Sequence, residues 1–276
     1  MKDLQHLLLP VLLVMCPVPQ ASEWSSLEAG RGLGKEDSQQ RIPCAPIALS
    51  LAPSIAGSAW NQRDRGHEAR THPTPYMAYV QGRNQQFCGG FLVAPGWVMT
   101  AAQCLAHKPL TVILGAHTVQ KREESWQRFE VQQYHCHPGF TSPKKGNDIL
   151  LLKLKGNATT NNHVRTISFE KAKVSGGIPC SITGWGHMTP AATLRQTPVA
   201  IIKQRNCLSL APGLAENLIC GLSASSEGPE KGDAGDPLVC NNKAYGIFSY
   251  RHHNWPGFYT HIAPFLPWAN SIMKSS

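Results

Sequence analysis

From about Gly66 onward, short apolar runs rich in Val, Ile and aromatic residues alternate with Gly, Pro and Asn punctuation. Pro75 to Val80, Gln86 to Val93, Trp97 to Thr100, Leu110 to Leu114, Phe129 to Tyr134 and Ile149 to Leu154 read as strands. So do Cys180 to Gly184, Val199 to Lys203, Leu218 to Gly221, Pro237 to Cys240, Ala244 to Tyr250 and Phe258 to His261. Many short strands separated by turn signals restrict the chain to an all-β sandwich or barrel. Only Ala263 to Lys274 has helical spacing. Ile262, Leu266, Ala269, Ile272 and Met273 fall near one face, with Trp268 beside it.

The chain has 276 residues, enough for one large all-β domain or two small ones. Its nine cysteines are widely spread, with long irregular spacings and no CxxC pair. That disfavours a zinc ribbon and favours disulfides formed in an oxidising compartment. Lys2 precedes an apolar run from Leu7 to Cys16, followed by Pro17 to Ala21. This run is too short to span a bilayer and reads as a signal peptide over residues 1–21, so the protein is expected to be secreted or held in a secretory granule. Residues 22–62 are rich in Gly, Ser, Ala and Pro without a sustained period, and read as a disordered stretch or pro-segment ahead of a domain at 63–276. No later stretch approaches transmembrane length. Asn157-Ala158-Thr159 is a sequon usable in a secreted protein.

The net charge is +9, yet residues 1–62 carry four basic residues against five acidic ones, so the surplus sits in the remainder. Such a surplus suits anionic partners (sulfated glycans, lipid headgroups or nucleic acid) or plain solubility, and charge alone does not choose between them. The basic clusters are Lys121-Arg122 with Arg128, Lys144-Lys145, Lys171 with Lys173, and Lys203 with Arg205. The twelve histidines are scattered, and neither His135-Cys136-His137 nor His252-His253 supplies a convincing ligand set, so no metal or other cofactor is expected.

Several local motifs follow one another in a fixed order. They are Cys88-Gly89-Gly90-Phe91-Leu92, Thr100-Ala101-Ala102-Gln103-Cys104, Asn147-Asp148-Ile149-Leu150-Leu151-Leu152, Cys180 with Gly184-Trp185-Gly186, Gly232-Asp233-Ala234-Gly235-Asp236-Pro237, Ser249-Tyr250, and Pro256-Gly257-Phe258-Tyr259-Thr260. Together they resemble the chymotrypsin-like serine proteases over roughly Gly66 to Met273. Gly66-His67-Glu68-Ala69, Pro75-Tyr76-Met77-Ala78 and Leu114-Gly115-Ala116-His117 look most like the granzyme, cathepsin G and azurocidin branch. The resemblance implies two six-stranded antiparallel β-barrels with a C-terminal α-helix and a cleft between the barrels. It also implies disulfides Cys88–Cys104, Cys180–Cys240 and Cys207–Cys220. The bridge usual beside the substrate pocket is missing, since Glu230 stands at its first position. Cys44 and Cys136 are left over, to pair with each other, with another chain, or with nothing.

That family's chemistry needs a serine hydroxyl, a histidine to take its proton, and a buried aspartate to orient the histidine. Here the histidine position is Gln103 and the serine position is Ala234, leaving Asp148 alone of the triad. An amide has no titratable group near neutral pH, and a methyl group forms no acyl-enzyme. Asp148 is therefore expected to be a buried acceptor, bonded by the Gln103 amide. The oxyanion donors correspond to the backbone N–H groups of Gly232 and Ala234. The pocket corresponds to Gly228, Ser249, Tyr250, Arg251 and Gly257, with Gly228 at an uncharged floor. Asp233, which in the family meets a freed apolar N-terminus, faces Arg63-Asp64-Arg65-Gly66 instead. It is expected to meet Arg63 or Arg65 or to swing into water. Asp236 replaces a tightly packed glycine and is expected to strain its turn. Arg251 replaces another glycine and is expected at the pocket mouth.

The resemblance thus implies a secreted, monomeric serine protease homologue without peptidase activity. It is most like azurocidin, a cationic branch member lacking the same two residues, which binds heparin and endotoxin and acts in innate immunity. The expected partners are heparin-like glycans or anionic lipids, with no specific nucleic acid and no transmembrane segment. The alternatives are a decoy that holds a protein or peptide in the vacant cleft, and residual endopeptidase activity.

Overall fold

The computed structural model describes residues 67–68, 74–174, 178–186, 193–223, 233–251 and 256–275. The signal-peptide and pro-segment readings, Cys44, Arg63 to Arg65, Gly228, Glu230, Gly232 and His252-His253 lie outside them. The fold is β-rich, with the expected two-barrel architecture and a C-terminal helix.

Fourteen strands occur among the described residues. In the first half, β2 (Ala78–Gln81), β3 (Phe87–Cys88), β4 (Phe91–Ala94), β5 (Trp97–Thr100), β6 (Thr111–Leu114), β7 (Gln127–Cys136) and β8 (Leu150–Leu154) form one antiparallel sheet in the order β3-β2-β6-β7-β8-β5-β4. β1 (His67–Glu68) leaves this set and pairs with the second half. The long strand β7 serves two neighbours. Residues 127–130 pair with β6, and 131–136 pair with β8 after a register shift. All four residues of β5 are buried, as are Leu150, Leu151, Leu152 and Leu154 of β8, consistent with unbroken apolar runs inside a closed sheet.

The Gln86 to Val93 run is not one strand. Gly89-Gly90 interrupts it, because the Gly89 N–H turns away to the carbonyl of Ala234 at 2.9 Å. The ends of this sheet meet at an isolated bridge between Met77 and Phe91, flanked by Ala78 N–H to Gly90 O and Leu92 N–H to Tyr76 O, both 2.8 Å. The first half is therefore a half-barrel seamed by that bridge.

The second half closes by a full ladder. β9 (Cys180–Gly184), β10 (Arg195–Ile201), β11 (Leu218–Ser223), β12 (Pro237–Cys240), β13 (Lys243–Arg251) and β14 (Gly257–His261) run β10-β11-β14-β13-β12-β9, and β9 pairs back onto β10. The strand read at Val199 to Lys203 begins earlier and ends at Ile201. After it comes a helix that no pattern in the sequence indicates, α1 (Gln204–Leu210). Its seven residues bury only Cys207 and leave Leu208 and Leu210 exposed, so no apolar stripe announces it. The Cys207–Cys220 disulfide fastens it to β11.

The second helix, α2 (Leu266–Ser275), packs where its periodicity indicated. Ile262, Leu266 and Ala269 are buried in the same cluster as Leu150 and Val112, with Trp268, Ile272 and Met273 against it. His137 lies edge-on to Phe265 and Trp268, with ring centres 5.0 and 5.3 Å away, so it is a packed histidine. His135 likewise tilts against Trp97. Disulfides also join Cys88 to Cys104 and Cys180 to Cys240, while Cys136 is a half-buried free thiol. Among the described residues no helix is long and apolar enough to cross a membrane.

Candidate functional site

Three segments bring the site together around one buried carboxyl group. Asp148 lies just ahead of β8 and is wholly buried. Asn147 before it adopts φ 58°, a left-handed conformation that asparagine tolerates, and is fixed by hydrogen bonds to Gly139 O (3.0 Å) and from Asn217 Nδ2 (2.7 Å). Gln103 arrives on the 3₁₀ turn after β5, clamped next door by the Cys88–Cys104 bridge. Its backbone N–H donates to Asp148 Oδ1 at 2.9 Å. Its side-chain Nε2 donates to Asp148 Oδ2 at 2.7 Å and to the Ser249 carbonyl at 2.6 Å.

The third segment is β13. Its register against β14 shifts between Phe248 and Tyr250, leaving Ser249 as the extra residue of a bulge. Freed from the ladder, Ser249 accepts from Gln103 through its carbonyl and donates its hydroxyl to Asp148 Oδ2 at 2.5 Å. Burial pushes the Asp148 pKa up, while the bonds from Ser249, Gln103 and the Ala102 backbone pull it back; the net direction is upward. Both amide hydrogens of Gln103 are thus engaged. The sequence indicated the Gln103–Asp148 pair. It gave no sign that Ser249, read as a pocket residue, completes the network, because the bulge depends on a strand pairing that no local motif encodes.

The turn at 233–236 forms the facing wall. Ala234 is buried, and its carbonyl accepts the Gly89 N–H beside the disulfide that carries Gln103. Asp233 does not swing into water. It is 7% exposed, and its Oδ1 accepts the Gly186 N–H at 3.1 Å. Asp236 is 1% exposed, and its carboxyl lies between Gly89 and Gly184 and faces Asp233. A Cβ on either glycine would collide with it, so those two glycines make its berth. The turn is hydrogen-bonded rather than forced apart: Asp236 N–H reaches Asp233 O at 3.0 Å, Phe248 N–H reaches Asp236 O at 2.8 Å, and Gly235 takes the φ of +94°.

Two buried carboxyls in contact do not both ionise. Burial first, then the Asp233 charge and the hydrogen bond to it, raise the Asp236 pKa well above the carboxylate range. That shift favours the protonated form of Asp236, whose hydroxyl is placed to donate to Asp233. Tyr259 nearby is pushed up by burial and by Asp233, against the pull of the Arg251 guanidinium.

At the end of β13, Tyr250 stacks on Phe258 with ring centres 4.7 Å apart, and half-buried Arg251 pairs with Gly257 across the ladder. Asn157 is exposed, and the backbone of Thr159 in its sequon is clamped at both N–H and carbonyl by the Gln127 amide, each at 2.8 Å. Lys121, Arg122, Arg128, Lys144, Lys145, Lys171, Lys173, Lys203 and Arg205 are all exposed. Among the described residues, no group of three or more His, Cys, Asp or Glu side chains could hold a metal ion.

Residues 63–269 match the trypsin family model. Mouse granzyme E is 37% identical over 84% of this chain and 99% of its own length. Human cathepsin G is 35% identical over 83% of the chain and 95% of its own length, and human granzyme H 36% over 83% and 96%.

Proposed function

This chain belongs to the trypsin-like serine protease family, and from that membership we propose that it is a secreted binding protein for polyanionic glycans that no longer cleaves peptide bonds. The observation that carries the loss of catalysis is the engagement of Gln103. The side chain at the general-base position is an amide whose hydrogens both go to Asp148 and the Ser249 carbonyl. It has no lone pair basic enough to take a proton near neutral pH, and the facing position, Ala234, offers only a methyl group. Removing either the nucleophile or the base costs about a millionfold in turnover in a comparable protease, and the second loss adds little.

Polyanion binding is supported by the net charge of +9, by the many exposed lysines and arginines, and by one observed ion pair among the described residues, Lys155 with Glu130. The lysines and arginines of the basic clusters are exposed, and so open to an external anion. The three disulfides fit an oxidising compartment and hence secretion. Retention of the purified protein on immobilised heparin tests the binding half. The protein is expected to bind at low salt and to elute as salt screens the contact. Passage through the column at low ionic strength overturns the reading, and salt-insensitive capture of a peptide points instead to a decoy that uses the cleft.

A further inference from the structure

The segment that connects the two barrels lines a groove that shares no residue with the hydrogen-bond network around Asp148. It has a volume of about 610 Å³ and is lined by apolar Val93, Ile167 and Phe169, by the hydroxyl residues Thr166 and Ser168, and by Glu170, Lys171 and Lys243. The walls are rigid because the segment is stitched to both halves. Arg165 N–H reaches Pro75 O at 3.0 Å, Ile167 N–H reaches Leu92 O at 3.0 Å, and Glu170 N–H reaches Ala244 O at 2.9 Å. In return, Ala244 N–H reaches Ser168 O at 2.8 Å, and Phe169 bridges Ala244.

The charge lining this groove is net positive, with Lys171 and Lys243 against Glu170. Arg165 and Lys173 flank it on the same segment, and all four basic residues are exposed. The one acid in the lining, Glu170, is tied to its own turn. Its carboxylate accepts the Ala172 N–H at 2.9 Å, and that bond, with help from Lys243, holds it below the usual carboxylate range. Lys171 and Lys243 are far apart in sequence, and the Phe169–Ala244 bridge brings their strands together.

We propose that this groove is the seat of a sulfated polysaccharide, with sugar rings over Phe169 and the Thr166 and Ser168 hydroxyls, and sulfates on Lys171 and Lys243. An extended peptide fits less well, because the N–H groups of Arg165, Ile167 and Glu170 are already engaged and leave little strand edge to pair with. The inference rests on the glycan-binding reading above and names its site.

The test compares full-length wild type with K171A/K243A and, as a control of equal charge change outside every basic cluster, R83A/K274A. Each is measured for heparin affinity at physiological salt and for the salt needed to elute it. The groove variant is expected to bind about tenfold more weakly, the control within about twofold of wild type. Acetylation footprinting of the wild type, which needs no variant to fold, is expected to show Lys171 and Lys243 protected by a heparin oligosaccharide. Chemically desulfated heparin is expected neither to bind nor to protect. If wild type binds heparin but the groove variant is unchanged and both lysines stay reactive, the groove assignment falls and the glycan reading stands. If wild type does not bind at all, both fall.

Discussion

Replacing Asp236 by asparagine isolates the buried acid pair. The amide keeps the size that fits between Gly89 and Gly184, and its NH₂ donates to Asp233 where the protonated carboxyl donates in the wild type. What changes is the proton. In the folded protein Asp236 holds a proton that the unfolded chain releases above about pH 3.9. The folded state therefore binds more protons, and rising pH favours unfolding until the folded-state pKa is passed. Over that interval the wild type loses about 1.4 kcal/mol per pH unit from this group alone, and the asparagine variant loses none of it. Titrating groups remote from the Asp233–Asp236 pair are common to both proteins and cancel in the difference. Urea melts at a series of pH values above about 4 read this directly: the stability of the variant relative to wild type should rise with pH, by up to about 1.4 kcal/mol per unit. In thermal melts the gap should widen by up to about 3–6 °C per unit for a domain of this size. Parallel pH dependences would refute the reasoning, since they would mean that Asp236 is ionised in the folded protein or is no more buried there than in the unfolded chain.

Ser249→Ala removes the hydroxyl that donates to buried Asp148 Oδ2 and should cost about 1–3 kcal/mol in chemical denaturation. An unchanged midpoint would show that the bond carries no weight. Gln103→Glu places a second carboxyl against Asp148, so one of the two must take up a proton on folding. That variant should be less stable than wild type at pH 7 and regain stability as pH falls toward 5, and an equal deficit at both values would contradict this. Expressed through a secretory pathway, the protein should carry an N-glycan at exposed Asn157. Treatment with an endoglycosidase should reduce its apparent mass, and Asn157→Gln should abolish that shift.

The parts of the fold written in contiguous residues were legible. The leucine run at 150–152 sits fully buried in β8, and the heptad-like face of Leu266, Ala269 and Ile272 packs as α2 against the first-half core. The parts that depend on distant partners were not. Helix α1 owes its place to a disulfide and β11 rather than to its own periodicity, and Ser249 reaches Asp148 only because β13 bulges against β14. Asp236 reads in sequence as a strained replacement for glycine. In the structure its backbone turn closes normally, and the cost is moved to the side chain, which is accommodated by glycines from two distant segments and by a raised pKa. Gln103 was the most legible site residue, because an amide beside a buried carboxylate has a natural partner.

The proposal that the protein cleaves no peptide bonds is tested most directly by incubating the mature wild-type domain with a mixed peptide library, beside a Q103H/A234S variant, and reading new termini by mass spectrometry. The wild type is expected to generate no cleavages above the no-protein control, whatever the variant does. Reproducible cleavage by the wild type, removed by a further substitution in the same cleft, would contradict it.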